Sequence, residues 1–80
     1  MRLDKFLKVS RVIKRRTVAN EACDAGRVTV NGKVARASYD VKVGDVVEIV
    51  FGTRTVKFEI LQVTDVVKKE DAADLCRIIE

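Results

Sequence analysis

The sequence predicts an α+β fold, an N-terminal helix-turn-helix pair packed on a small antiparallel sheet. Three observations predict it. Apolar residues fall at helical spacing as far as Ala25, then the period drops to two from Val28 onward. Gly26 stands at the change of period, where a left-handed helix cap belongs. Asn31-Gly32 follows between valine-bearing stretches, the strongest short-range signal for a type I′ hairpin.

Leu3, Phe6, Leu7 and Ser10 keep i, i+3, i+4, i+7 spacing and define a short amphipathic helix, with Arg2, Lys5 and Lys8 stepping round its other side. Residues 11–16 read as a basic connector carrying Val12 and Ile13. Thr17 is the expected N-cap of a second helix over 18–25, with Glu21 favourable near the first turn. Val18, Ala22 and Ala25 share one face of that helix, and Ala19 and Cys23 lie beside them. Small side chains there permit close approach to a neighbour. Past the hairpin that joins Val28 and Val30 to Val34, a turn over Lys42-Val43-Gly44-Asp45 leads into a strand with Val46, Val47 and Ile49. Gly52-Thr53 marks another turn. A long strand is expected over 55–64, with Val56, Phe58, Ile60 and Gln62 facing one way. Ala72, Ala73, Leu75, Cys76 and Ile79 are spaced for a last helical turn packing on the sheet.

Eighty residues suit one domain, with a core motif over 1–50 and the remaining strand and short C-terminal helix over 51–80. A chain this size buries only about 60% of its unfolded surface, so its stability margin is thin. No apolar run approaches the roughly 20 residues of a membrane span. Met1-Arg2-Leu3-Asp4-Lys5 lacks the apolar stretch of a secretory signal. A cytoplasmic location with no membrane partner is expected. Two cysteines, Cys23 and Cys76, are too few for a disulfide framework and read as buried small hydrophobes. There is no histidine, which removes the commonest general base and metal ligand. No Gly-rich phosphate loop and no metal-ligand spacing is present. Glu70, Asp71 and Asp74 read as a solvated helix face. The expectation is therefore no enzyme, no catalytic residue, no cofactor and no metal.

The net charge of +4 conceals a division. Residues 1–36 hold ten Lys or Arg against three acids, a net of +7, whereas residues 37–80 hold six against nine, a net of −3. One end attracts a polyanion and the other does not. Arg2, Lys5, Lys8, Lys14, Arg15 and Arg16 are interleaved with apolar anchors, which fixes them on a folded face. Lys14-Arg15-Arg16 repel one another with no acid nearby in sequence, a cost that phosphate contact would offset. Thr17 opens a helix whose first amides suit a phosphate oxygen. Asp4, the one acid in the basic face, either supplies helix N-terminal charge or orients Arg2 or Arg16. The hairpin tip offers Lys33 and Arg36 to a nucleic-acid backbone.

Arg2-Leu3-Asp4-Lys5-Phe6-Leu7, Lys14-Arg15-Arg16-Thr17-Val18-Ala19 and Gly26-Arg27-Val28-Thr29-Val30-Asn31-Gly32-Lys33 together resemble the RNA-binding S4 domain. Asp40-Val41-Lys42-Val43-Gly44-Asp45-Val46-Val47-Glu48 resembles the strand that follows in that family. The resemblance implies the family's alpha-L RNA-binding motif, a helix pair on a twisted sheet. Among members that stand alone, the opening eleven residues, the Lys14–Thr17 connector and the Lys68–Ala73 tail are similar to small bacterial ribosome quality-control factors related to the fifteen-kilodalton heat-shock protein. That likeness implies a non-catalytic role on obstructed large (50S) ribosomal subunits, and a monomer is expected. Its partners there would be 23S rRNA and peptidyl-tRNA, and it would support the factor that adds alanine tails to stalled nascent chains. Carried over by position, Arg2 and Arg16 are implied as the strongest RNA contacts with Asp4 beside them, and Lys5, Lys8, Lys14, Arg15 and Thr17 complete the face. Other readings stay open: a heat-shock type rescue factor of the large subunit, a protein-interaction adaptor on the ribosome, and a small RNA-modifying or hydrolytic enzyme.

Overall fold

The structure, a computed structural model, describes residues 1–64 and 75–79. Helix α1 spans Leu3–Val9 and α2 spans Arg16–Asp24. The strands are β1 (Val28–Val30), β2 (Lys33–Val34), β3 (Val46–Phe51), β4 (Arg54–Ile60) and β5 (Cys76–Ile78). They form one antiparallel sheet in the order β2-β1-β3-β4-β5.

The start of α1 is capped by distant backbone. Arg2, in the N-cap position, makes no side-chain capping bond; instead the N–H groups of Leu3 and Asp4 donate to the carbonyls of Tyr39 (2.8 Å) and Ala37 (3.1 Å). Past Ser10 the chain turns sharply through Arg11, which sits at φ +62°, and the N–H of Ile13 returns to the carbonyl of Leu7. That turn buries Ile13. Helix α2 ends in a Schellman motif: Gly26, at φ +73°, donates to the carbonyl of Cys23, and Arg27 donates to that of Ala22.

Register decides which side chains enter the core. Val28 pairs with Ile49 and Val30 with Val47; Val47 in turn faces Phe58, and Ile60 faces Cys76. Leu3, Phe6 and Leu7 of α1 and Ala19 and Cys23 of α2 cover this row of apolar residues. The rings of Phe6 and Phe58 stack with centroids 6.2 Å apart and planes 20° from parallel.

Five expectations need correction. Helix α2 begins at Arg16 with Arg15 as N-cap, so Thr17 is its second residue and caps nothing; Arg15 has the extended φ of −119° and ψ of 129° that an N-cap requires. The face that α2 buries is Ala19 and Cys23, whereas Val18 and Ala25 are exposed. Val34 is 67% exposed, because the two-residue Asn31-Gly32 loop pairs it with Thr29, whose side chain lies on the sheet face away from the helices. The long strand stops at Ile60, since the N–H groups of Leu61 and Gln62 both turn to the carbonyl of Leu75, and Gln62 is exposed. The last helical turn is not formed by Cys76–Ile78, which pairs with β4 as a fifth strand and satisfies backbone groups that β4 would otherwise leave open. Ala72 and Ala73, the acids Glu70, Asp71 and Asp74, and the Lys68–Ala73 tail lie outside the described residues. The I′ hairpin is as expected, with Asn31 at φ +53° and Gly32 at φ +84°.

Candidate nucleic-acid interface

Asp4 sits in the first turn of α1 and is 1% exposed, a placement that isolated charge does not tolerate. Its carboxylate is held from four directions. Arg2 straddles it, donating from Nε to Oδ1 at 3.2 Å and from Nη2 to Oδ2 at 3.4 Å. Arg16 donates from Nε to Oδ2 at 3.3 Å, and Asn20 reaches the same oxygen from Nδ2 at 3.5 Å. The backbone N–H of Lys5 donates to Oδ1 at 2.8 Å. Burial disfavours the ionised form, but the bonds from Arg16, Arg2, Lys5 and Asn20 together outweigh it and hold the carboxyl below its ordinary value.

The two arginines are not consumed by this contact. A guanidinium carries five N–H donors; Arg2 uses two on Asp4 and Arg16 one. Their side chains remain 51% and 48% exposed. Asp4 therefore works as a bracket that fixes two forks from separate helices, their remaining donors turned to solvent. The cluster still has net positive charge. Arg2, Asp4, Arg16 and Thr17 line a shallow cleft of about 440 Å³ together with Asn20 and Glu21.

Lys5, Lys8, Lys14 and Arg15 do not line the cleft. Lys5 is half-buried one residue past Asp4, and Lys8, Lys14 and Arg15 are exposed along α1 and the connector. The first N–H groups of α2, on Arg16, Thr17 and Val18, meet no acceptor among the described residues, and all three residues are exposed. Residues 1 and 2 are themselves anchored: the Met1 ammonium donates to Asp40 at 2.7 Å, and the N–H of Val41 donates to the Met1 carbonyl. The ammonium holds the Asp40 carboxyl below its usual range.

Lys33 lies on β2, away from the Asp4 cleft, where the hairpin is held by a buried carboxylate. Asp45 accepts from Asn31 Nδ2 at 3.1 Å, from the Tyr39 hydroxyl at 3.3 Å and from the N–H of Lys42 at 2.9 Å. Asn31 and Val46 exchange two further bonds, Asn31 N–H to the Val46 carbonyl and Val46 N–H to Asn31 Oδ1. Desolvation and the neighbouring Asp45 push the Tyr39 hydroxyl upward in pKa. The hairpin tip carrying Lys33 is thus stapled to the turn before β3.

Asn20 is the site residue that reading the sequence missed. Its signal was the four-residue spacing from Arg16, which places both on one side of α2. In the sequence Asp45 stands out only as part of a turn. Cys23, behind the cleft, is buried and free, its thiol pushed up to about 11 by burial and then by Asp4 and Asp24, so it is inert near neutrality. Cys76 is also free but only half-buried.

The chain is similar in sequence and in fold to known proteins. The family model of the S4 domain matches residues 1–47. The chain is 57% identical to the RQC P-site tRNA stabilizing factor of Streptococcus pneumoniae, over 99% of this chain and 90% of that one. It is 51% identical to the protein of the same name from Bacillus subtilis, over 100% of this chain and 93% of that one. Among solved structures, Heat Shock Protein 15 of Vibrio cholerae, described as trimeric, superposes with a TM-score of 0.89 at 29% identity, covering 99% of this chain and 81% of its own. The solution structure of a hypothetical protein superposes with a TM-score of 0.83 at 33% identity, covering 100% and 98%.

Proposed function

This chain belongs to the S4 domain family, and we propose that it is a non-catalytic RNA-binding factor of bacterial ribosome quality control. In this reading it binds large ribosomal subunits that still hold peptidyl-tRNA. It contacts the backbones of 23S rRNA and of the tRNA, and so supports the factor that adds alanine to the stalled chain. The observation that carries the reading is the bracket at Asp4, two guanidinium groups from different helices held at a fixed separation with their free donors facing outward. Such an array suits phosphates in a folded RNA, where shape rather than base sequence is read. Relatives over nearly the full chain, named for stabilising P-site tRNA, support tRNA as one of the ligands.

The residues take distinct parts in this mechanism. Arg2 and Arg16 fork phosphate oxygens, and Asp4 holds both in position. The open N-terminus of α2 at Arg16 and Thr17 adds backbone donors. Lys5, Lys8, Lys14 and Arg15 contribute charge along the same side, and Lys33 brings a second, rigid contact from the hairpin.

The test is sedimentation of tagged wild-type and Arg2→Ala/Arg16→Ala protein from lysate, followed by probing of the bound fractions for tRNA and nascent chains. Wild-type co-migration with free large subunits bearing peptidyl-tRNA, lost in the double mutant, is the expected outcome. Migration with small subunits or with soluble RNA alone would overturn the pathway. A second reading, general rescue of large subunits under heat stress, draws on the likeness to Heat Shock Protein 15. It predicts bound nascent chains without alanine tails.

A further inference from the structure

We propose that this domain has a second binding surface, independent of the RNA face, that takes an apolar segment of a protein partner flanked by carboxylates. A groove of about 480 Å³ opens between the α1–α2 connector and the β4–β5 side of the sheet, and among the described residues it shares no lining residue with the Asp4 cleft. Its floor is Val12, Phe51, Val56, Cys76 and Ile78. Ile78 pairs with Phe58 in register and so lies on the core side of the sheet, yet it is 58% exposed. Among the described residues no helix covers it.

Charge selects the partner. Among the described residues the charged side chains that line the groove are Arg11 and Arg54, both exposed, and neither has a carboxylate partner there. Among the described residues no acid lines the groove. Arg11 is held at φ +62°, a backbone region that costs a non-glycine residue energy and that persists only where surrounding structure enforces it. An apolar floor with two unpaired cations at its margin is complementary to leucine-like side chains next to glutamate or aspartate. RNA fits it less well. Its backbone would lose water against valine and isoleucine side chains that return no hydrogen bond. Among the described lining residues the one aromatic ring, Phe51, is already half-buried and offers little stacking area.

The experiment is an NMR titration of the isotope-labelled full chain with three probes: a blocked nonapeptide alternating leucine and glutamate, its lysine counterpart, and a short oligouridylate. The amides of Val12, Val56, Cys76 and Ile78 should move with the glutamate peptide and stay still with the lysine peptide. Arg11→Glu/Arg54→Glu, changed only at exposed positions, should weaken the glutamate peptide by roughly tenfold or more and admit the lysine peptide. The amides of Arg2, Asp4 and Arg16 report the RNA face in the same spectra, so failure of the groove and failure of the RNA reading are separately visible. Equal response to both peptides, or no response at the groove, would overturn the proposal. Groove shifts with oligouridylate would make this an RNA surface instead, and shifts with protein concentration alone would make it a contact between copies.

Discussion

Replacing Asp4 by Asn separates two effects that simple charge counting would merge. Removing an acid from a basic face raises the net charge and, by charge alone, should tighten RNA binding. The bracket predicts the reverse, because Arg2 and Arg16 lose the anion that aligns them. Asp4→Asn should therefore weaken RNA affinity in a filter-binding assay; unchanged or tighter binding would remove Asp4 from the mechanism. The same change should lower stability by about 1–3 kcal/mol, the cost of disrupting buried charge-assisted bonds. The pH dependence follows from the direction of the Asp4 shift. Its folded carboxyl lies below the unfolded value, so the contribution is fully present above the unfolded pKa. It is lost as pH falls from there through the folded pKa. The difference in urea midpoint between wild type and Asp4→Asn should accordingly close on acidification below about pH 4, and a constant difference down to pH 2 would contradict it.

Helix ends show a tension between stability and function at the scale of the element. Arg15 occupies an N-cap position with suitable backbone angles and no capping side chain. Arg15→Ser should therefore stabilise α2 by about 0.5–1 kcal/mol, roughly 3–6 °C in Tm, while weakening RNA binding. A fall in Tm would show that the Arg15 side chain stabilises the fold itself. At the other end of α2, a Cβ added at Gly26 would meet nothing within 4 Å, so only the φ of +73° opposes a side chain there. Gly26→Ala should cost about 1–2 kcal/mol in urea denaturation. A larger loss would mean that the Schellman turn bears on more than the end of one helix.

Across the whole molecule, the excess of cations lies in the N-terminal half of the chain. The basic N-terminal part folds into both helices and the first hairpin, while on β3, β4 and β5 the acids Glu48 and Glu59 stand beside Arg54, Lys57 and Arg77, as in the 2.7 Å contact of Arg77 with Glu59. If five to seven phosphates are neutralised, log affinity should fall with log salt at a slope of roughly −4 to −6, and Arg2→Ala/Arg16→Ala should flatten it by about 2. A slope near zero would exclude a phosphate-led mechanism. Arg16→Ala should also weaken RNA binding far more than Arg54→Ala, since Arg54 lines the separate groove. Equal losses would mean that the RNA face has been misplaced.

Features set by neighbours in the chain are legible in the sequence by itself. The alternation of Val28 and Val30, the positive φ of Gly26, Asn31 and Gly32, and the cations between apolar anchors are all local in origin. Each depends on a few adjacent residues and on intrinsic backbone preference. Features whose partners lie far along the chain are decided only by the tertiary structure. The cap of α1 comes from Ala37 and Tyr39, thirty-odd residues away, and the Asp4 carboxylate finds Arg16 and Asn20 only once α2 packs beside α1. Leu75, Cys76 and Ile79 have spacing compatible with a helix, but the open edge of β4 draws Cys76–Ile78 into a strand. Local periodicity states what a segment prefers, whereas the unsatisfied backbone groups and buried charge of its neighbours determine what it becomes.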